Sequence, residues 1–220
     1  MVVDGTSDLA IEPMVHSFGD GRASSVDRNL LGGKGSGLAE MSRLGIPVPP
    51  GLTITTDVCN AYFSDQRRFP SELADQVLLG LKQIEDISGA TFGDSSNPLL
   101  LSVRSGARVS MPGMMDTILN LGLNDETAEG LANATGNARF AYDSYRRFVQ
   151  MYGDVVMGVG KLTETDHDPF EVILNAKKSA RNIQHDTDFS ESDLRELVVE
   201  FKELIVLRSG ESFPEDVTEQ

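Results

Sequence analysis

The sequence has very little cysteine and no tryptophan. Its 220 residues include one cysteine, which excludes a disulfide within the chain and any metal site built from several of its cysteines. Cys59 lies in TTDVCNAYF, a stretch with the pattern of an amphipathic helix. We therefore expect a buried structural thiol there rather than a catalytic one.

Long apolar runs are also missing. No stretch approaches the roughly 20 apolar residues that a membrane-spanning helix needs. The N-terminal segment MVVDGTSDLAIEPM has neither the basic n-region nor the long apolar h-region of a secretory signal. The sequence thus predicts a chain with no membrane partner and a cytoplasmic location.

Positive charge is scarce. Lysine and arginine number 19 against 34 aspartates and glutamates, for a formal net charge of −15. A surface of that sign repels nucleic acid and anionic lipid, so we expect no nucleic-acid partner. An anionic ligand would have to be held by a local group of cations or backbone amides.

The hydrophobic pattern divides the chain into segments. Residues 1–13 are polar and unpatterned and are interpreted as a loose leader. Residues 14–123 alternate helical and strand patterns: a helix that ends at Gly45, the strand LTIT, and the apolar strand PLLLSVR that delivers Arg104 to its end. Such alternation is typical of an α/β layer.

Residues 124–211 have a helical pattern throughout. Two amphipathic faces are expected, and a capping box of Ser190 and Asp193 precedes the second. The apolar positions of these faces are Tyr142, Tyr145, Val149, Tyr152 and Val156, then Leu194, Leu197, Val198, Phe201, Leu204 and Ile205. Residues 212–220 are interpreted as the start of a return to the α/β part. The predicted fold class is α+β, with the helices grouped in a subdomain.

Glycine is concentrated around one lysine in LLGGKGSGLAEMSRLG. The spacing does not fit a Walker A loop, because Arg28 stands at its first glycine and Gly35 follows the lysine. It does not fit the dinucleotide fingerprint either, since Leu38 or Glu40 stands at the last glycine. The segment does offer close backbone approach, a helix N-terminus and the charge of Lys34, which together suit a polyphosphate. A glycine-rich turn with a solvated lysine is the alternative.

A second motif, SVRSGARVSMPGMMDTILNL, continues from the predicted strand. Arginine can bind phosphate oxygens through two parallel hydrogen bonds, so Arg104 is a candidate phosphate ligand, and Arg108 is either a second one or solvated. Asp116 is a single carboxylate and is weak evidence for a metal site. Three methionines of the loop either pack on a ligand or fill the core: Met111, Met114 and Met115.

Three stretches resemble the N-terminal nucleotide-binding part of the pyruvate, phosphate dikinases. They are LLGGKGSGLAEMSRLGIPVPPGLTITTDVCNAYF, SVRSGARVSMPGMMDTILNLGLND and NARFAYDSYRRFVQMYGDVVMGV. The likeness extends from about Leu30 to the end of the given sequence, includes FKELIVLRSGESFPED, and covers most of the chain. The related phosphoenolpyruvate synthases have a Ser-Ser-Ala-Thr type loop where RSGARVSMPGMMDT stands here, so the second motif follows the dikinase form.

The resemblance implies an ATP-grasp-like nucleotide-binding lobe with the helical subdomain inserted into it, incomplete at the C-terminus. It implies that Lys34 and Arg104 bind the ATP phosphates, with Arg104 also catalytic, and that Gly113 and Thr117 contact the nucleotide phosphates. Mg²⁺ is expected with ATP. Its protein ligands are expected outside this chain, so no residue is assigned as a metal ligand.

The family's reaction converts ATP, phosphate and pyruvate to AMP, diphosphate and phosphoenolpyruvate by way of a phosphohistidine. His16, His167 and His185 do not resemble the family's phosphocarrier segment and are expected to be solvated surface residues. The domains that carry the phosphohistidine and bind pyruvate or phosphoenolpyruvate, and the part through which the family forms homodimers, would lie outside this chain. We therefore expect the chain alone to be inactive.

Two other hypotheses stay open at this point. In the first, the chain is a stand-alone, non-catalytic nucleotide-binding or regulatory module derived from that enzyme. In the second, it is a structural helical partner protein, in which the glycine segments are turns and Arg104 forms a salt bridge.

Overall fold

The computed structural model describes residues 13–106, 116–161 and 167–220. This part of the chain contains seven α-helices and five β-strands, so the fold is mixed α and β as predicted. Its contacts form two compact units, one of residues 13–88 with Gly106 and one of residues 89–105 and 116–220. The units meet in sequence at Ser88 and Gly89, whereas the sequence predicted a join near residue 123. Residues 1–12 of the predicted leader lie outside the described residues.

The first unit places helices on both sides of a small antiparallel sheet. Its elements are β1 (Val15–Gly19), β2 (Arg22–Ala23), α1 (Arg28–Arg43), β3 (Gly51–Ile54), α2 (Thr56–Ser64) and α3 (Leu73–Ser88). The strand order is β2-β1-β3. Alternate residues of a strand face opposite sides of the sheet. Leu52 on β3 therefore meets α3 at Gly80, while its neighbour Thr53 meets α1 at Gly35.

The prediction of a solvated His16 is wrong. His16 is buried, because it pairs with Thr53 in the sheet and so lies on the face that α1 covers. One strand of five residues does not reveal in its sequence which of its faces a helix will cover. His167 and His185 are exposed, as predicted.

The prediction of a buried Cys59 is also wrong. Helix α2 exists where the sequence pattern placed it, but it is short and buries Val58. The Cys59 thiol lies on its exposed side. The amphipathic pattern thus identified the helix and misplaced its buried face.

The second unit combines a β-hairpin with a group of helices. Its elements are β4 (Leu101–Arg104), β5 (Thr117–Leu121), α4 (Asp125–Thr135), α5 (Ala138–Val155), α6 (Pro169–Arg181), a 3₁₀ turn (Asp186–Asp188) and α7 (Glu191–Ser209). Strands β4 and β5 pair antiparallel, and β5 packs on α5. This packing explains why the hairpin groups with the helices.

Helices α5 and α7 supply most of the core of the second unit. Most of the predicted apolar positions are buried along both helices: Tyr142, Tyr145, Val149 and Tyr152 on α5, and Leu194, Leu197, Val198, Phe201 and Ile205 on α7. Leu204 is half-buried. Val156 follows the end of α5 and is exposed instead. Among the described residues, no helix is both long and apolar enough to cross a membrane.

Capping residues set the ends of these helices. Ser190 and Asp193 form the predicted capping box, in which the Asp193 N–H donates to Ser190 Oγ at 3.2 Å and the Ser190 N–H to Asp193 Oδ2 at 3.1 Å. Helix α7 ends at Ser209 and is followed by Gly210, whose φ of 78° lies in the left-handed region that favours glycine. Helix α6 begins after Asp168, whose carboxylate accepts the Phe170 N–H at 2.8 Å.

Alkaline pH is expected to weaken the second unit. Burial raises the pKa of Tyr142 to about 12 despite the charge of Arg195, and burial together with Glu215 and Asp125 raises the pKa of Tyr145. The folded state keeps phenolic protons that the unfolded state releases above 10.0, so the free energy of unfolding should fall as pH rises from 10 toward 12. Urea denaturation at about pH 9 and about pH 11 measures this fall, and Tyr142→Phe should reduce it. Equal free energies of unfolding at both pH values would contradict the prediction.

Candidate functional site

The glycine segment interrupts helix α1. Gly32 has φ 69° and ψ 175°, outside the helical region, and the helix continues from Gly33. Asp27 caps the first piece, since its Oδ1 accepts the Asn29 N–H at 2.8 Å. The second piece therefore begins beside Lys34, and the positive end of its helix dipole lies there. The side chain of Lys34 is exposed.

Gly35 and Gly37 have different relations to the fold. A Cβ on Gly35 would lie 2.7 Å from Thr53 Cγ2 and 2.9 Å from Thr53 Oγ1, so the packing of α1 on β3 requires glycine. A Cβ on Gly37 would meet no atom of the described residues within 4 Å. Gly37 follows Lys34 by three residues and so shares its helix face. Packing does not explain Gly37, whereas close approach of a ligand beside Lys34 would explain it.

Two serine hydroxyls fix the segment to the rest of the first unit. Ser36 Oγ donates to the Val26 carbonyl oxygen at 2.9 Å. Ser42 is buried, and its Oγ donates to the Arg22 carbonyl oxygen at 2.8 Å. The backbone around Lys34 is thereby held while the lysine side chain stays exposed. Sequence reasoning did not identify either serine, because their acceptors are brought close by the fold.

Arg104 and Thr117 are neighbours on the hairpin of the second unit. Arg104 ends β4 and pairs with Thr117, which begins β5. The two residues flank the loop 105–116, where the Ser105 N–H donates to the Asp116 carbonyl oxygen at 3.1 Å. Arg104 is exposed and Thr117 is half-buried. The structure thus brings these two predicted phosphate ligands together.

The predicted site residues lie in different parts of the chain. Lys34 belongs to the first unit, while Arg104 and Thr117 belong to the second. Gly113 lies outside the described residues. So do the other residues that the sequence singled out in this loop: Arg108, Met111, Met114 and Met115.

Asp154 lies near two other carboxylates of the second unit. Burial raises the pKa of Asp154, which lies on α5, and the charges of Asp168 and Asp116 raise it further against the opposing charge of Lys161. Nowhere in the described ranges do three or more His, Cys, Asp or Glu residues form a group that could hold a metal ion.

Comparison with known proteins connects these motifs to one family. Residues 28–83, which include the glycine segment, match the family model described as "Pyruvate phosphate dikinase, AMP/ATP-binding domain". The chain is 52% identical over 204 residues to pyruvate, phosphate dikinase of Rhizobium meliloti (strain 1021), a match that covers 92% of this chain and 22% of the relative. It is 51% identical over 207 residues to the enzyme of Clostridium symbiosum, covering 94% of this chain and 23% of the relative.

A plant protein gives the same result. Pyruvate, phosphate dikinase, chloroplastic, of Flaveria pringlei is 49% identical over 208 residues, covering 94% of this chain and 21% of the relative. The chain thus spans between a fifth and a quarter of the length of these relatives. The matches confirm the resemblance predicted from the glycine segment and the arginine motif. The chain is therefore similar, over more than nine-tenths of its length, to part of the pyruvate, phosphate dikinases, and its residues 28–83 match the AMP/ATP-binding domain of that family.

Proposed function

We propose that the chain is the ATP-binding portion of a pyruvate, phosphate dikinase. The complete enzyme would convert ATP, phosphate and pyruvate to AMP, diphosphate and phosphoenolpyruvate. The phosphohistidine and the pyruvate site would lie in regions of the complete enzyme that correspond to the parts of the relatives that this chain does not match. This chain would contribute nucleotide binding. Identity near 50% over more than nine-tenths of the chain supports this assignment.

The arrangement around Lys34 is the observation that carries the proposal. A helix begins again directly after the left-handed Gly32, and an exposed lysine lies in its first turn. Backbone dipole and full charge both favour the phosphate anion there. Gly37 leaves the adjacent helix face without a side chain, so a phosphate can approach the backbone closely.

Arg104 is proposed as the second phosphate ligand and as the catalytic residue. Its guanidinium would stabilise negative charge on the transferred phosphoryl group, which is the main task of a protein in such reactions. Thr117 and Gly113 would contact the phosphates from the same hairpin and its loop. A Mg²⁺ ion bound to ATP would neutralise part of the phosphate charge, with its protein ligands outside this chain.

The remaining expectations belong to the same proposal. The fold would be an ATP-grasp-like lobe whose helical subdomain lies in residues 124–211. Phosphate would be the second substrate, and pyruvate or phosphoenolpyruvate would bind elsewhere in a longer, homodimeric protein. A cytoplasmic location stays a prediction.

Calorimetric titration of the 220-residue chain with Mg-ATP tests the proposal. Lys34→Ala and Arg104→Ala should each weaken binding about 10- to 100-fold, because each removes a charge-assisted hydrogen bond to a phosphate. Lys82→Ala, which removes an exposed lysine on α3, is the matched control and should leave the affinity unchanged. Unchanged affinity in both site variants would contradict the proposal, as would the absence of binding by the folded wild-type chain.

A further inference from the structure

The residues after α7 form a strap that returns to the hairpin of the second unit. We define the C-terminal strap as residues 211–220. Phe213 is its buried anchor. The Phe213 ring packs edge-on against three aromatic rings of α5, with centroid distances of 6.3, 5.7 and 5.5 Å to Tyr145, Phe148 and Tyr152. The strap is thus tied to the core rather than lying loosely on the surface.

A polar cluster joins the middle of the strap to the start of α4. Lys202 on α7 donates from Nζ to Asp125 Oδ1 at 2.8 Å and also to Glu215 Oε1 of the strap. Tyr145 is buried, and its hydroxyl donates to the same Asp125 Oδ1 at 3.0 Å. The Lys202 ammonium lies 5.0 Å from the centroid of the Tyr145 ring. Two carboxylates from distant segments therefore share one lysine and one buried hydroxyl.

Gln220 joins the end of the strap to the turn that follows β5. Its Oε1 accepts the Gly122 N–H at 2.9 Å. Its Nε2 donates to the Leu123 carbonyl oxygen at 3.0 Å and to the Pro214 carbonyl oxygen at 3.1 Å. One amide side chain thus satisfies two backbone groups of the turn and closes the strap on itself. Gly122 follows directly on Leu121, the last residue of β5.

The strap and the predicted phosphate ligands lie at opposite ends of the same hairpin. Leu121 pairs with Leu101 at the strap end, and Thr117 pairs with Arg104 at the loop end. A two-stranded hairpin is marginally stable by itself, so its position depends on what holds it. Ile118 of β5 is buried in the core and supplies one anchor, and Gln220 supplies another beyond Leu121.

We propose that the strap fixes the β4–β5 hairpin and thereby positions Arg104 and Thr117. Three residues of the strap and its contacts are positioning residues: Gln220, Glu215 and Lys202. They act on the nucleotide through the hairpin and do not touch the nucleotide. The ligand of the hairpin is the ATP of the proposed function, on which this part of the inference rests. The mechanical part, in which releasing the strap loosens the hairpin, does not depend on any ligand.

Hydrogen exchange followed by mass spectrometry on the full 220-residue chain tests the mechanical part. Gln220→Ala removes the amide that holds the turn, and exchange of the backbone amides in β4 and β5 should accelerate about tenfold. Exchange in α6, in the same unit, should not change. Glu219→Ala alters the exposed neighbour of Gln220 and is the matched control.

Lys202 gives a second, independent variant. Lys202→Met should accelerate exchange in the hairpin because Asp125 and Glu215 lose their shared cation, and Lys202→Arg should largely restore the wild-type rate. Acceleration of α6 together with the hairpin would show a general loss of stability and would overturn the proposal. Wild-type exchange rates in the hairpin of both Gln220→Ala and Lys202→Met would overturn it as well.

Titration with Mg-ATP then separates this inference from the proposed function. If positioning matters, Gln220→Ala weakens Mg-ATP binding about three- to tenfold while Glu219→Ala does not. Faster hairpin exchange with unchanged affinity would overturn the positioning role, provided that Lys34→Ala still weakens binding. If the wild-type chain binds no Mg-ATP, the proposed function fails, and the exchange rates alone still decide whether the strap holds the hairpin.

Discussion

Phe201→Ala is expected to lower the free energy of unfolding of the second unit by about 3–5 kcal/mol. Phe201 is 0% exposed, and its ring packs edge-on against Phe170 at a centroid distance of 5.0 Å. Truncation removes the ring from a core shared by α6 and α7 and leaves a cavity that closely packed neighbours cannot fill. A loss of this size is a large fraction of the stability of an ordinary domain.

Urea denaturation followed by tyrosine fluorescence measures this loss. The chain has no tryptophan, and three of its four tyrosines lie on α5, so the signal reports mainly on the second unit. Leu207→Ala is the matched control on the same helix, because Leu207 is 82% exposed and its truncation should cost less than about 0.5 kcal/mol. A cost below about 1 kcal/mol for Phe201→Ala would mean that the α6–α7 contact is not part of the cooperative core.

The long helices were the most predictable part of the fold. Their apolar residues recur with helical spacing over several turns, as from Leu194 to Ile205 on α7, so one face is specified many times over. Short elements lack that redundancy. Helix α2 has nine residues and one buried side chain, and the sequence pattern assigned the wrong side to Cys59.

Burial that depends on partners distant in sequence could not be predicted. His16 is covered because β1 pairs with β3 and α1 packs on that face of the sheet. Neither contact can be inferred from the sequence around His16. That the hairpin groups with the helices could not be predicted, for the same reason. Nothing in the sequence of β5 indicates that this strand packs on α5.

The candidate site was predictable in part. The residue types of the glycine segment pointed to phosphate binding at Lys34, and the register of the hairpin now places Arg104 beside Thr117. The sequence could not assign separate tasks to the glycines. Gly32 serves a left-handed turn and Gly35 serves the contact with Thr53, whereas the fold gives no reason for Gly37.

Because Gly35 and Gly37 have different neighbours, Gly35→Ala and Gly37→Ala should change the free energy of unfolding of the first unit in opposite directions. Gly35→Ala should lower the free energy of unfolding of the first unit by about 1–3 kcal/mol, because the new methyl group would overlap Thr53 on a strand that cannot move aside freely. Gly37→Ala should raise it by about 0.5–1 kcal/mol, since alanine is the better helix former and meets no described neighbour. The two variants add the same methyl group to the same helix, so each controls for the other.

Thr53→Ala supplies the decisive comparison. With the Thr53 methyl and hydroxyl removed, Gly35→Ala should cost little or become stabilising, and the double-mutant cycle should give a coupling of about 1–3 kcal/mol. Hydrogen exchange in β1 and β3 measures these free energies for the first unit alone. A coupling near zero would show that the contact between α1 and β3 is not the reason that position 35 requires glycine.

The affinity for Mg-ATP should also differ between the Gly35 and Gly37 variants. Gly37→Ala should weaken Mg-ATP binding even though it stabilises the unit, because the added methyl group lies on the helix face that Lys34 shares. Gly35→Ala in the Thr53→Ala background should bind Mg-ATP normally, since Gly35 faces the sheet. A stabilised Gly37→Ala variant with wild-type affinity would instead mean that the nucleotide does not approach this face. Lys34 would then have to reach a phosphate that lies away from the helix.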